Sequence, residues 1–97
     1  MLKSSSDKDA FWSKLRQQLD ESTNWPHLYM FKFIVPADNQ KIAQVENLFN
    51  SKEAQIVMRR SSKGSYVSIT AKEVMLNPDR VIERYKEAAL IEGLVAL

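Results

Sequence analysis

The run HLYMFKFIV, His27 to Val35, constrains the fold of this chain more than any other stretch. It is almost continuously apolar and rich in aromatics. Such residues fit a pleated, packed surface. A run that is apolar on both faces reads as a central strand with both faces at least partly covered. Alternation puts Tyr29, Phe31, Phe33 and Val35 on one face and Leu28, Met30, Lys32 and Ile34 on the other. Pro36 is expected to stop the strand. The aromatic set Tyr29, Phe31 and Phe33 reads as core facing packed helices rather than as a ligand box.

Other periods flank this strand. SSSDKDAFWSKLRQQLDES reads as a helix capped by Ser6 or Asp7, with Ser6 and Asp9 approximating a capping box. Phe11, Leu15 and Leu19 recur at a spacing of four, a narrow apolar stripe with Trp12 beside it. The proline in ESTNWP disfavours helix at Trp25. ADNQKIAQVENLFN reads as a second helix, capped by Asp38, with Ile42, Val45, Leu48 and Phe49 along one face. AQIVMRRSS and SYVSITAKEV read as strands joined by a turn at Lys63-Gly64. Gly64 is the natural site for a positive φ. In MLNPDRVIERYKEAALIEG, Asn77 is the cap, Pro78 takes the first helical position and Asp79 meets the positive end of the dipole. Val81, Ile82, Tyr85, Ala88 and Ala89 form its buried stripe. Gly93 ends the region and LVAL finishes as a short apolar strand.

After the first helix the order is therefore β-α-β-β-α-β. Right-handed crossovers predict an α+β, ferredoxin-like sandwich with a four-stranded antiparallel sheet. Both later helices lie on one face, and the strands at 27–35 and 65–74 lie side by side in the centre. Residues 1–24 form an N-terminal helical extension and residues 25–97 the domain. The second sheet face is left open. The extra amphipathic helix either covers that face or docks on a partner or second subunit. Self-packing onto the open face is the expectation.

Composition removes several function classes. There is no cysteine, hence no thiol nucleophile, thiolate site or disulfide. No apolar run approaches the roughly 18 residues of a membrane span. MLKSSSDKDAF lacks the apolar centre of a signal peptide, so a cytoplasmic chain without membrane attachment is expected. The net charge of +2 is too mild to demand a nucleic-acid partner by itself. His27 is the single histidine, and no carboxylates sit at a recognisable metal spacing. No serine stands in a nucleophile elbow, and the Ser-x-x-Lys spacing in SSSDK falls at a helix start. The chain is therefore expected to have no catalytic residues, no metal and no cofactor.

RRSSKGSYVSIT, Arg59 to Thr70, is the stretch that bears most on binding. Arg59, Arg60 and Lys63 gather positive charge near one sheet end. Ser61, Ser62, Ser65 and the Gly64 amide offer hydrogen bonds to a phosphate or carboxylate. It is not a Walker loop, since a strand follows where a helix is required. The plainer alternative is a solvated hairpin turn. Alternation sends Arg59 and Arg60 to opposite sheet faces unless a bulge intervenes. KGSYVSI is also loosely similar to the third strand of RNA-recognition domains. Its outward positions, Tyr66, Ser68 and Thr70, supply a single aromatic, and the first strand adds only Met30 and Lys32.

Together, WPHLYMFKFIVP, the downstream SSKGSYVSIT, a helix with a tyrosine and a short last strand resemble the YbeD-like family, small bacterial domains of unknown function. The family's aromatic-proline pair, strand lysine, Ser-Ser-Lys-Gly hairpin and following aromatic and serine correspond to Trp25-Pro26, Lys32, Ser61-Ser62-Lys63-Gly64, Tyr66 and Ser68. The resemblance covers residues 25–97. It implies a ferredoxin-like fold similar to ACT regulatory domains, and some members carry a lipoic-acid-binding regulatory label. The expected function is a small non-enzymatic regulatory or interaction module. It would bind a small acidic metabolite, a protein partner or a second copy through the open sheet face, a dimer interface or the hairpin at 59–66. Arg59, Arg60 and Lys63 would supply charge, Gly64 the turn, Ser61, Ser62 and Tyr66 hydrogen bonds, and Lys32 a second charge. The alternative is a single-stranded RNA-binding domain.

Overall fold

The computed structural model describes residues 5–49 and 52–97, with side chains from Lys8 onward. The apolar run forms strand β1, His27–Pro36. Pro36 is its last residue, opposite Tyr66, where a missing donor breaks no interior rung. Strands β2 (Gln55–Arg60), β3 (Tyr66–Met75) and β4 (Val95–Ala96) complete one sheet in the order β2-β3-β1-β4. Every pairing is antiparallel. β1 and β2 both oppose β3 and so run parallel to each other, joined by helix α2, Asn39–Glu46. β3 and β4 both oppose β1 and are joined by helix α3, Pro78–Ala88. The fold is α+β, with the expected central pair β1–β3.

The inner faces of β1 and β3 supply Phe31, Phe33, Val35, Val67, Ile69, Ala71 and Met75 to a core closed by Val45, Phe49, Val81, Ala88 and Ile91. Both later helices thus lie on one side of the sheet. Phe31 is the hub: its ring centroid stands 4.7 Å from Tyr29, 5.3 Å from Tyr85 and 5.4 Å from Phe49. The Tyr29 and Tyr85 hydroxyls are 2.9 Å apart. Burial, and then this bond, push the Tyr85 phenol well above its ordinary pKa.

The caps follow the sequence. Asp38 Oδ1 accepts from the Gln40 amide at 2.8 Å, and Asn77 Oδ1 from the Arg80 amide at 3.0 Å. The helix ends depart from it. α2 stops at Glu46, and the Leu48 and Phe49 amides turn back to Val45 and Glu46 in tighter, three-residue steps. Phe49 is buried all the same. Ala89 is exposed and lies outside the buried stripe that its spacing predicts. The same tightening occurs there: Leu90 bonds to Glu87 and Ile91 to Ala88, which turns Ile91 into the core instead.

Helix α1 spans Ser5–Ser22. Ser6 and Asp7 therefore lie inside it rather than at its cap, and their side chains lie outside the described residues. The expectation that α1 covers the open sheet face is corrected: α1 packs against α3. Arg16 donates to the Asp79 carboxylate, and the Lys86 amine stands 5.6 Å over the Trp12 ring. The short link 23–26 explains the placement. The Trp25 indole donates to the Leu19 carbonyl at 3.2 Å while its ring lies near inward-facing Tyr29, which ties the end of α1 to the helix side of the sheet. Among the described residues no helix is long and apolar enough to cross a membrane.

Candidate functional site: the open sheet face and its hairpin

The β2–β3 hairpin builds itself from several of the candidate residues. The Ser61 amide donates to the Tyr66 carbonyl at 2.8 Å, and the Gly64 amide to the Ser61 carbonyl at 2.9 Å. Ser61 Oγ accepts from the Tyr66 amide at 3.1 Å. Arg60 folds back and donates to the Gly64 carbonyl at 3.3 Å. Gly64 has φ +77°, the left-handed region that side chains resist. A Cβ there would meet nothing closer than the Arg60 side chain at 3.9 Å, so strain alone sets the cost of replacing it. Gly64→Ala is expected to lower stability by about 1 kcal/mol. Urea unfolding measures this, and a neutral result would mean that the turn relaxes to another form. Arg60, Ser61 and Gly64 thus act within the turn, leaving Arg59, Ser62, Lys63 and Tyr66 of the hairpin candidates to face outward.

The strand register decides what shares the open face. It is unbroken from Gln55–Lys72 to Arg60–Val67, with no bulge. Arg59 therefore pairs with outward Ser68, while Arg60 pairs with buried Val67 and belongs to the opposite face. Lys32 pairs with Thr70, and Thr70 with Val57. Met30 pairs with Lys72, and Leu28 with Val74. The outer face thus carries Lys32, Arg59 and Lys72 among Leu28, Met30, Ile34, Val57 and Val74. None of the three cations makes an ion pair among the described residues. β3 lies between Lys32 and Arg59, so Lys32 shares the outer face with Arg59 but does not reach the hollow at the hairpin. Lys72 is an additional outward cation. Extending the alternation Tyr66, Ser68, Thr70 by one step would have found it.

Charge is sorted between the two faces. The four strands contain a single acidic residue, Glu73. It points inward, is 7% exposed, and accepts from Arg84 of α3 at 3.1 Å. The Arg84 guanidinium also lies 4.8 Å from the Phe49 ring centre. The outward strand positions therefore carry positive charge only.

Where the face meets the hairpin there is a shallow hollow of about 300 Å³. Arg59, Arg60, Ser61, Ser62 and Tyr66 line it with Ile34 and Ser68. Lys32, Lys63 and Gly64 do not. A separate apolar groove of about 370 Å³ runs between α1 and α3, walled by Trp12, Leu15 and Tyr85. His27 is exposed, its Nδ1 3.4 Å from the Thr23 hydroxyl. Among the described residues no three of His, Asp or Glu gather as a metal-ligand group.

Residues 20–95 match a family described as "Protein of unknown function (DUF493)". The chain belongs to that family. The match begins in the last turn of α1 and takes in β1, β2, β3, α2, α3 and the hairpin, so the open face is part of the family domain. No curated protein and no solved structure matches the chain.

Proposed function

We propose that this DUF493 family member is a non-enzymatic binding module that takes an anionic partner on its open sheet face and the adjoining 59–66 hairpin. The observation that carries this reading is the segregation of charge on the sheet. Lys32, Arg59 and Lys72 point outward with no carboxylate beside them, and Lys63 stands on the exposed turn. A net charge of +2 conceals this, because the acidic residues of the described chain sit on the helices, in the loops and inside the core. A face of one sign flanked by apolar surface raises the local concentration of oppositely charged groups.

The strand order and its two helical crossovers support placing the domain in the ferredoxin-like class, close to the YbeD-like and ACT-like domains. Single-stranded RNA is less well served. Stacking needs aromatic platforms, and Tyr66 is the face's single aromatic.

The test is an amide chemical-shift titration of the full chain with an oligoglutamate peptide. Shifts are expected across residues 59–72, weakening as salt rises. Arg59→Glu with Lys63→Glu should weaken binding about tenfold or more while leaving the unfolding midpoint in place, since both side chains are exposed. Undiminished binding in that variant, or no shifts in the native protein, rejects the site.

A further inference from the structure

We infer that the occupant of the open face is an acidic amphipathic α-helix of a partner protein. This rests on the anion-binding reading above and names the partner's chemistry.

Apolar exposure is the first argument. Leu28, Met30, Val57 and Val74 are between 55% and 66% exposed, all on this one face. Leu28, Met30 and Val74 adjoin one another, with Val57 beyond Thr70 and Lys72, and apolar surface of this kind calls for an apolar cover. A free metabolite or an unstructured acidic chain would satisfy the cations and leave this surface wet. The hollow of about 300 Å³ lies at one end, by the hairpin, and none of Leu28, Met30, Val57 and Val74 lines it.

Geometry is the second argument. Lys32 and Lys72 occupy diagonal positions on neighbouring strands, because Lys32 opposes Thr70 and Lys72 lies two residues further on. Such diagonal neighbours stand roughly 7–8 Å apart. Carboxylates one turn apart on a helix are separated by roughly 5–6 Å at their Cβ atoms, within reach of two lysines with flexible stems. A helix roughly 10 Å across spans about two strands spaced about 4.8 Å apart. One helix therefore covers β1 and β3, its apolar stripe on Leu28, Met30 and Val74, while the flexible stems of Lys32 and Lys72, which stand next to Met30, reach out to carboxylates at its flank. Arg59 on β2 then meets its outer edge. The sheet already packs in this way on its other side, under α2 and α3.

The remaining occupants fit less well. A second copy seated face to face would set Lys32, Arg59 and Lys72 against their own kind with no carboxylate in the interface. The chain's own α1 is engaged with α3. Nucleic acid brings phosphates but finds one aromatic and four exposed aliphatic side chains.

The test uses the full chain, amide-labelled, and designed peptides of about 18 residues, long enough for a helix to form on binding. The first carries leucines at helical spacing flanked by glutamates. The second has lysines for the glutamates. The third keeps the glutamates and replaces each leucine by serine. The first peptide is expected to gain helicity, to shift the amides of Met30, Lys32, Thr70 and Lys72, and to bind about tenfold tighter than either control. Lys32→Glu with Lys72→Glu should reverse the preference toward the lysine peptide. Equal binding of the serine peptide overturns the helix while leaving the anion site standing. Failure of both glutamate peptides overturns both readings. Equal binding of the lysine peptide removes the charge argument and with it the inference. Sedimentation with phosphatidylglycerol vesicles, without peptide binding, would assign the face to a membrane surface instead. A self-associated species that blocks the peptide would assign it to a second copy.

Discussion

Phe31→Ala is expected to destabilise the protein by about 4 kcal/mol. The residue is fully buried at the centre of β1, and its ring touches elements from both layers. Tyr29 precedes it on the same face, Tyr85 comes from α3 and Phe49 from the turn after α2. Arg84 also lies 5.8 Å from its ring centre. Truncation removes the transfer energy of a benzyl group and leaves a cavity that none of these neighbours can fill without leaving its own partners. A domain of this size has about 5–15 kcal/mol in total, so the variant should sit near the limit of folding. Urea unfolding measures the loss. Phe31→Leu keeps most of the volume and should cost less than half as much. Equal losses for the two variants would show that ring contacts rather than volume dominate, and a loss below about 2 kcal/mol for alanine would show that the core collapses freely around the site.

Glu73→Ala is the second large effect, about 3 kcal/mol. Its carboxylate and the Arg84 guanidinium meet at 3.1 Å with side chains only 9% and 15% exposed. Removing the acid leaves a cation under the sheet, held against Phe49 but without its counter-charge. The cost is mainly that of the stranded charge. Replacing both residues, Glu73→Leu with Arg84→Met, should recover most of the loss, because buried ion pairs contribute little beyond their apolar equivalents. A double variant as unstable as Glu73→Ala would show that the pair itself contributes net stability. The ion pair also matters to the site. It satisfies the only carboxylate of the strands on the inner side, where alternation places it, so that the charges at outward strand positions are all positive.

Much of the fold is legible in the residues. The continuous apolar run, the switch between two-residue and helical periods, the Asp38 and Asn77 caps and the Gly64 turn are local signals, and each corresponds to a local hydrogen-bond pattern. The opposite placement of Arg59 and Arg60 is legible for the same reason, since alternation needs only an unbroken strand. Helix ends are less so. The identity of Ala89 and Ile91 does not reveal that a tightened last turn will bury the second and expose the first. The candidate site was legible only in part. Spacing does not reveal that Arg60 and Ser61 are occupied in holding the turn, and Lys72 joins the outer face from beyond the hairpin.

The sequence alone determined the elements, their order, the central strand pair and the aromatic inner face, because these rest on spacing within single segments. Only the tertiary structure decided that α1 would lie on α3, that inward-facing Glu73 would meet Arg84 of α3, and that Lys32 of β1 would stand diagonally to Lys72 of β3 with Arg59 one strand beyond. These arrangements depend on register between strands distant in the chain, and on the Trp25 hook that fixes which side α1 can reach. Periodicity tells each strand which way its side chains point. It does not tell which neighbours those side chains will have.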